Sequence, residues 1–482
     1  MPVSRCLTRS ACAHADAVRR IRDDIGDDTQ WLAALGAALL LERASFSANK
    51  KVSSKKNASS QTETTIRTRY ARLSGYVATL PRREANVVAS WPEERRRFLA
   101  GTDVERALRC ERSAARREWE GYVKTRVREA LAARRETSEN KTSETREGNL
   151  ITSFPTFRDY LDARSVVSSR AFLVTDAEGP GLVPIADLFN HRTGGHHVAM
   201  RLLDGDGDGD GDATLVAVVS SRVEKGAEVF NTYGALGNAT LLNSYGFTQE
   251  NNPEDTVSVS VPDLRAAAAM RGAPGPVVAK RLAACFSSRR APFQEHALFP
   301  LRKTRSPPNE GSPLEPPTAL LVALWAVTAT DEAFASAERE IAGETAGLGG
   351  SGDPAEEAGR DAAAALWRAA AERAEVSGTI FTAAASEVFL EILDRRRRMY
   401  VDVPEDYRED DSIQRDAETG GWRASLRILV ESERAVVDAH AAETKRRLAA
   451  FRGEFRADEL DDAKRRKTAV VAEAEDPFAL FD

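Results

Sequence analysis

Two blocks of the sequence, 181–191 (GLVPIADLFNH) and 228–247 (EVFNTYGALGNATLLNSYGF), contain most of the side chains that could form a ligand site. The first block ends a strand-like apolar run in a polar pair, and the second is rich in aromatic residues. Aromatic ring faces attract cations. A phenol with a pKa of about 10 is a poor general base at pH 7, so these residue types favour holding and orienting ligands. The side chains concerned are Asn190, His191, Tyr233, Tyr245 and Phe247.

In order and spacing, the two blocks resemble the catalytic half of SET-domain protein-lysine methyltransferases. The similarity is to the branch that contains the Rubisco large-subunit, ribosomal-protein and non-histone methyltransferases. It implies an α+β fold: a SET-type fold of short β-sheets with a helical insertion, followed by an all-α C-terminal substrate-binding domain. It also implies S-adenosylmethionine as cofactor and methylation of a lysine on a non-histone protein, with a ribosomal protein as the favoured substrate.

The resemblance assigns roles to individual positions of this chain. Tyr233 matches the catalytic tyrosine, whose phenol lies beside the transferring methyl group and orients the acceptor amine. The positions that match cofactor-binding residues are Arg170, Asn190, His191 and Phe247. Tyr245 matches a second tyrosine that lines the lysine channel. Asp187 lies near the same mouth and is assigned to substrate binding, with bracing of the strand–turn geometry as the alternative. Each aromatic residue taken alone is most often an ordinary core residue, and their joint placement favours a site.

Two departures from the family pattern keep alternatives open. A third channel tyrosine expected after the Asn-His pair is not evident, because 200–203 reads MRLL there. A protein-histidine methyltransferase on the same fold is therefore an alternative. The early SET half should also open with a glycine-rich GxG turn, yet 1–28 contains only Gly26. The sequence thus predicts a missing first cofactor-binding element or an incomplete gene product, and a catalytically inactive SET-like protein-binding module is the third reading.

Composition and periodicity, together with what the resemblance implies, divide the chain into five parts. They are an N-terminal segment (1–29), a helical SET insertion (30–163) with an unstructured stretch (47–69), the catalytic core (164–251), a helical substrate-binding domain (252–453) and a polar tail (454–482). Helical spacing of apolar residues predicts helices over 30–44, 103–135, 318–328, 362–374, 379–397 and 422–451. Strands are predicted over 182–185, 198–203 and 214–220.

The bulk properties restrict partners and compartment. The chain has 482 residues and a net charge of −6, which gives no global attraction for nucleic acid or an anionic membrane. No apolar run reaches the roughly 18 residues of a membrane span. We therefore expect a monomer that binds a lysine-bearing protein, without direct nucleic acid or membrane contacts. Its predicted location is the cytoplasm or the nucleus, and the Arg-, Ala- and Ser-containing N-terminus leaves a plastid open.

Two features that suggest metal binding are better explained otherwise. The four cysteines are scattered without a CxxC pair, which argues against a structural zinc cluster and is typical of a reducing compartment. The repeat DGDGDGDGD resembles a calcium loop, but no register places a Glu at the twelfth position. A hairpin tip rich in glycine explains it instead.

The basic KRRK at 464–467 suggests a nuclear signal or a solvated surface run.

Overall fold

A computed structural model describes residues 6–8, 12, 14–25, 31–49, 73, 75–139, 154–175, 179–203, 214–286, 297–303, 314, 316–346, 381–404, 407 and 421–453. The chain divides into two compact units. The first consists of Met1–Leu99, Val104–Asn252 and Val403–Leu429, and the second of Ala100–Asp103, Pro253–Asp402 and Val430–Asp482. Each unit is described by itself.

Helices and short strands are largely segregated along the described chain, as expected for an α+β fold. The helices are α1 (Ala15–Ile25), α2 (Trp31–Asn49), α3 (Glu93–Arg96), α4 (Asp103–Glu118), α5 (Lys124–Glu139), α6 (Phe157–Arg170), α7 (Asn238–Thr240), α8 (Val261–Met270), α9 (Gly275–Phe286), α10 (Thr318–Thr328), α11 (Asp331–Ala346), α12 (Ala383–Met399) and α13 (Trp422–Phe451). The strands are β1 (Ala171–Thr175), β2 (Gly179–Leu182), β3 (Asn190–His191), β4 (Val198–Leu203), β5 (Thr214–Val219), β6 (Phe230–Asn231), β7 (Thr256–Ser260) and β8 (Leu298–Arg302).

The core of the first unit is built around α2 and α6. Helix α2 is apolar on nearly all sides and is buried over most of its length, which confirms the helix predicted over 30–44. Helix α6 begins at a capping box in which the side chains of Thr156 and Asp159 each accept a bond from the other's backbone N–H. This start fixes the register of α6, and the helix ends at Arg170, one of the predicted site residues.

Buried polar groups cross-link α6 to α4. The hydroxyl of Tyr160 donates a 2.8 Å hydrogen bond to Glu118 Oε2, which also accepts a bond from the guanidinium of Arg164. These three side chains satisfy one another, as buried charges must if their desolvation is to be offset. The predicted long helix over 103–135 is confirmed, except that a π-helical turn interrupts it at Trp119–Val123.

Strand β2 lies between β1 and the N-terminal segment. β1 pairs antiparallel with β2, and Leu182 on the other side of β2 exchanges two backbone hydrogen bonds with Leu7, of 3.0 and 2.9 Å. The strand predicted over 182–185 is wrong except at Leu182, because β2 spans Gly179–Leu182 and ends where the predicted strand begins. Pro184 has no N–H to continue a ladder, and Ile185 has φ of 73° and is 67% exposed.

The remaining strands of the first unit form two small pairs. β4 and β5 make the predicted antiparallel hairpin, with Val198 opposite Val219 and Leu203 opposite Thr214. The prediction of both strands is confirmed, while the Asp-Gly tip lies outside the described residues. β3 and β6 are parallel and only two residues long, and they join the two sequence blocks.

The second unit packs helices α8 to α12 and part of α13 with the β7–β8 hairpin. Helix α8 begins at a capping box between Ser260 and Asp263, with a proline in its first turn. The helices predicted over 318–328 and 422–451 are confirmed at both ends, and α12 begins four residues later than predicted. The helix predicted over 362–374 lies outside the described residues.

One ionic cluster in the second unit contains a fully buried carboxylate. Arg396 Nη2 contacts Asp103 Oδ1 at 2.6 Å and Glu433 Oε2 at 3.2 Å. Tyr400 donates a 2.9 Å hydrogen bond to the same Glu433 oxygen. Burial and the nearby negative charge of Asp103 raise the pKa of Glu433 to about 7, although Arg396 acts in the opposite direction. Two carboxylates therefore share one guanidinium in an apolar surrounding.

The first three residues of the predicted unstructured stretch, 47–49, instead belong to α2, because the helix continues to Asn49. The rest of the stretch, 50–69, lies outside the described residues, and so do the polar tail from 454 and its KRRK run. Among the helices that the structure describes, none combines the length and the apolar composition needed to cross a bilayer.

Candidate functional site

Four rings from the two sequence blocks pack together in the first unit. The His191–Tyr233 and Tyr233–Tyr245 pairs are stacked, whereas Phe247 is tilted against both of its neighbours. The ring centroids of His191 and Tyr233 are 5.0 Å apart, and those of Tyr233 and Tyr245 are 4.7 Å apart. Phe247 completes the row, 6.2 Å from His191 and 6.4 Å from Tyr245. The structure thus brings together four of the residues that the sequence singled out.

The parallel pairing of β3 with β6 places the two blocks side by side. Asn190 lies opposite Phe230 and His191 opposite Asn231. The backbone N–H of Arg192 then donates a 3.0 Å hydrogen bond to the carbonyl of Asn231, which extends the contact. As a result, His191 and Tyr233 lie next to each other although they are 42 residues apart in the chain.

Both ring nitrogens of His191 have fixed partners. Nδ1 accepts a 2.9 Å hydrogen bond from the backbone N–H of Tyr233, so the proton of the neutral ring belongs on Nε2. Nε2 lies 2.9 Å from Thr193 Oγ1, to which it can donate. Burial, assisted by the nearby His196, lowers the pKa of His191. The imidazole is therefore neutral near pH 7, and it positions the backbone at Tyr233.

The hydroxyl of Tyr233 is held by the first block. It donates a 2.6 Å hydrogen bond to the backbone carbonyl of Phe189. Burial, and then the neighbouring Tyr245, raise the pKa of Tyr233 to about 12. The phenol therefore stays protonated at neutral pH, and with its proton directed at Phe189 its oxygen lone pairs are free to act on a ligand. This arrangement is suited to orienting a reactant. Because the phenol keeps its proton, it does not act as a general base at neutral pH.

A glycine determines the directions of the last two rings. A π-helical turn, Leu241–Tyr245, ends at Gly246, which adopts φ of 82°. A Cβ at Gly246 would lie 2.6 Å from the backbone carbon of Asn86, so no larger residue fits. The chain therefore reverses sharply between Tyr245 and Phe247 and directs both rings toward the row. Burial raises the pKa of Tyr245 as well.

A charged cluster adjoins the rings. Arg170 donates from Nε to Glu84 Oε1 at 2.6 Å and from Nη1 to Asp187 Oδ2 at 3.2 Å. The hydroxyl of Tyr76 donates a 3.1 Å bond to the same Asp187 oxygen. The charges of Arg170, Asp187 and Glu84 all act on the pKa of Tyr233, which places the cluster within electrostatic range of the phenol. Arg170 and Asp187 thus form one group near the rings.

Asn190 is the predicted site residue whose side chain lies in neither the ring row nor the charged cluster. Its Nδ2 donates a 2.5 Å hydrogen bond to Glu228 Oε1 at an exposed position. Successive side chains of a strand point to opposite faces, so Asn190 faces solvent while His191 is buried. Any contact of the Asn190 side chain with a ligand of the rings requires it to leave Glu228.

Sequence reasoning missed Tyr76, Glu84 and the carbonyl of Phe189. Tyr76 and Glu84 occur in GYVATLPRRE, more than 80 residues before their partners, and nothing local marks either as a site residue. A backbone carbonyl carries no sequence signal at all. The sequence shows only that Phe189 directly precedes the Asn190-His191 pair.

The residues present can be tested against the chemistry of S-adenosylmethionine, which has a carboxylate, an ammonium, a sulfonium and a flat adenine. Arg170 is a donor for a carboxylate, and the ring row offers flat apolar surface. The side chain of Asp187 is 3% exposed, and its Oδ1 has no hydrogen-bond partner in the part of the chain that the structure describes. A buried carboxylate oxygen without a donor indicates a missing partner such as an ammonium. The described residues therefore fit the cofactor.

Part of the chain is similar in sequence to known lysine N-methyltransferases. No protein-family model matches the sequence. The ribosomal lysine N-methyltransferase set10 of Schizosaccharomyces pombe is 36% identical over 117 residues, which are 23% of this chain and 20% of that protein. The N-lysine methyltransferase SETD6 of Homo sapiens is 30% identical over 96 residues, 19% of this chain and 18% of that protein. The matched stretches thus span only about a fifth of each relative.

A solved structure extends the comparison to most of the chain. The SET domain of LSMT, crystallised with lysine and AdoHcy, superposes with a TM-score of 0.50 at 18% identity. The match covers 92% of this chain and 80% of that one. At this identity the likeness concerns the fold, and it confirms the predicted SET-type α+β class. Together with the N-lysine methyltransferase relatives, it confirms the resemblance to this SET branch that the two blocks indicated.

Proposed function

We propose that the protein is an S-adenosylmethionine-dependent protein-lysine N-methyltransferase. The observation that carries the proposal is the ring row of His191, Tyr233, Tyr245 and Phe247, in which the Tyr233 hydroxyl is fixed by the carbonyl of Phe189. Support also comes from the relatives that match part of the chain, because both are named lysine N-methyltransferases.

The roles of the side chains follow from their surroundings. When bound, the cofactor supplies a methyl group activated by a positively charged sulfur. Phe247 packs against its adenine, Arg170 binds its carboxylate, and His191 keeps the backbone of Tyr233 in place through Nδ1. The prediction that Asn190 contributes to the cofactor site is kept, with its side chain turned away from Glu228.

The acceptor lysine must be neutral before its nitrogen can accept a methyl group. Removing an ammonium from water against the rings of Tyr245 and Tyr233 lowers its pKa, and its proton is lost to solvent. The oxygen of Tyr233 then orients the amine, while Asp187 attracts the cationic forms. Holding the two reactants in line is the main contribution of such a site, since little covalent chemistry is required of the protein.

The substrate is proposed to be a non-histone protein, with a ribosomal protein as the first candidate. The name of the S. pombe relative, a ribosomal lysine N-methyltransferase, supports this choice. We further propose that residues 30–163 are the helical insertion and that 252–453 bind the substrate protein. The expected enzyme is a monomer of the cytoplasm or nucleus that makes no direct contact with nucleic acid.

The experiment uses the full chain, methyl-labelled S-adenosylmethionine, and purified ribosomes or a whole-cell lysate. After transfer, the labelled proteins are hydrolysed and the modified amino acid is identified. Label on methyl-lysine supports the proposal, and label on methyl-histidine replaces it with the histidine alternative. If no label is transferred and calorimetry detects no binding of S-adenosylmethionine, the proposal is overturned in favour of the inactive module.

A further inference from the structure

Arg170, the expected anchor of the cofactor carboxylate, is already engaged by two carboxylates of the protein itself. Glu84 accepts from Nε at 2.6 Å, and Asp187 accepts from Nη1 at 3.2 Å. One guanidinium between two carboxylates leaves the group with a formal charge of −1. A third carboxylate, brought to Arg170 by a ligand, would be repelled by the two protein carboxylates unless one of them moved away.

The two carboxylates differ in how firmly they are held. The Asp187 side chain is 3% exposed and also accepts the Tyr76 hydroxyl, so it is fixed from two directions. The Glu84 side chain is 20% exposed and lies in an irregular segment between Leu80 and Val88. The backbone N–H of Glu84 donates a 3.1 Å bond to Ser165 Oγ. Rotation of the Glu84 side chain alone would therefore release Arg170 without moving the backbone.

We propose that Glu84 is a site residue that occupies Arg170 and is exchanged for the carboxylate of the cofactor's amino-acid end when the cofactor binds. The proposal rests on the proposed function, because it needs a ligand with a carboxylate at Arg170. Glu84 thereby acts as a competitor built into the chain. It lowers the affinity of carboxylate-bearing ligands and keeps the guanidinium oriented while no ligand is present.

The competition has a definite consequence for substitutions. In Glu84→Gln the amide oxygen can still accept from Arg170 Nε, so the guanidinium keeps its orientation. A neutral acceptor is displaced by a carboxylate more easily than a charged one, because charge-assisted hydrogen bonds are about twice as strong. We expect S-adenosylmethionine to bind Glu84→Gln about tenfold more tightly, which corresponds to about 1.4 kcal/mol.

The test measures dissociation constants by calorimetry for S-adenosylmethionine and for decarboxylated S-adenosylmethionine, which lacks the competing carboxylate. Tighter binding in Glu84→Gln should appear with the first ligand only. Glu93→Gln is the matched control, because Glu93 is 81% exposed and pairs with Arg96 instead. The control should leave both constants unchanged. A second variant, Glu84→Asp, shortens the side chain and should tighten binding in the same direction if Glu84→Gln fails to fold.

The outcomes separate this inference from the function on which it rests. Selective tightening for the ligand with the carboxylate supports the exchange. If wild type binds S-adenosylmethionine and the Glu84 variants bind it equally or more weakly, or gain equally for both ligands, the exchange is overturned and the proposed function stands. If neither the wild type nor any variant binds either ligand, the proposed function fails and the exchange fails with it.

Discussion

The hydroxyl of Tyr233 donates a 2.6 Å hydrogen bond to the backbone carbonyl of Phe189, 44 residues earlier in the chain. This bond joins the two sequence blocks at the point where the proposed chemistry takes place. Phe189 follows directly after a 3-10 turn that contains Asp187, so its carbonyl is positioned by the same turn that is bound to Arg170. The orientation of the phenol is thus linked to the charged cluster through the backbone.

Replacing Tyr233 by Phe removes this hydroxyl and keeps the stacked ring. Because an oriented polar group at a reaction centre typically contributes 10²- to 10³-fold, we expect turnover with labelled S-adenosylmethionine to fall by about 100-fold or more. The dissociation constant of the cofactor should change by less than about twofold, since the ring remains. Steady-state methyl transfer and calorimetry measure the two quantities separately.

Tyr407→Phe is the control for this change, because the Tyr407 ring packs on Phe98 and the substitution keeps that contact. The control should leave turnover unaltered. Turnover of Tyr233→Phe that equals the wild-type value would remove Tyr233 from the reaction and leave it as a packing residue.

Local pattern predicted the elements whose pairing partners are near in sequence. The β4–β5 hairpin and the helices Thr318–Thr328 and Trp422–Phe451 follow from apolar spacing and turn residues, which act over short distances. The β3–β6 pair could not be predicted in this way, because two parallel strands of two residues carry no periodicity. The resemblance of the two blocks to a known family indicated only that they lie together, and it did not indicate this strand pair.

The same limit applies to the site. The convergence of the rings was expected from the paired blocks, whereas Tyr76 and Glu84 come from a distant segment that happens to fold against Arg170 and Asp187. The outward direction of Asn190 was also hidden, since an Asn-His dipeptide does not reveal which of its two side chains the strand buries. The roles of these residues remain predictions.

Substitution of Gly246 should disturb the ring row through the backbone. An alanine there must adopt φ of 82°, which costs about 1–2 kcal/mol for an L-residue, and its Cβ would lie 2.6 Å from Asn86. We expect Gly246→Ala to reduce the free energy of unfolding by about 2 kcal/mol or more, as measured by urea denaturation followed by fluorescence.

Gly121→Ala provides the comparison, because Gly121 is exposed within a helical segment and a Cβ there meets nothing within 4 Å. Alanine is the better helix former, so this variant should be stabilised by up to about 1 kcal/mol. Equal stability of Gly246→Ala and the wild type would contradict the close approach to Asn86.

Phe247 is predicted to form the surface on which adenine packs. Truncation to Ala removes an aromatic contact worth roughly 1 kcal/mol or more, so the dissociation constant of S-adenosylmethionine should rise by about fivefold or more. Phe451→Ala serves as the control, since Phe451 is 50% exposed at the end of α13. Competition with free methionine tests whether the lost contact is with adenine. Because methionine has no adenine, neither variant should change the affinity for methionine. Unchanged cofactor affinity in Phe247→Ala would leave Phe247 as a core residue only.

The buried Glu433 predicts an unusual dependence of stability on pH. Because its pKa is raised from 4.5 to about 7, the folded protein keeps a proton there that the unfolded chain has already lost. Within this window the folded state binds more protons than the unfolded state, so this group's contribution to the free energy of unfolding decreases as pH rises. The change integrates to at most about 3 kcal/mol.

Nearby His440 acts with the opposite sign. Burial lowers the pKa of His440 in the folded protein. The contribution of His440 to stability is therefore complete above the ordinary histidine pKa of 6.5 and is lost as pH falls from there through the lowered pKa of the folded state. A wild-type pH profile alone would therefore mix the two groups. The difference between Glu433→Gln and the wild type isolates Glu433, because His440 is present in both proteins.

Glu433→Gln keeps an acceptor for Arg396 and Tyr400 but cannot ionise. We expect its melting temperature relative to the wild type to be higher at pH 8 than at pH 5, because only the wild type has to bury a second carboxylate charge at the higher pH. Glu431→Gln, at an exposed position of the same helix, should show no such divergence. A difference between Glu433→Gln and the wild type that stays constant from pH 5 to pH 8 would mean that Glu433 is ionised throughout, with Arg396 compensating both carboxylates.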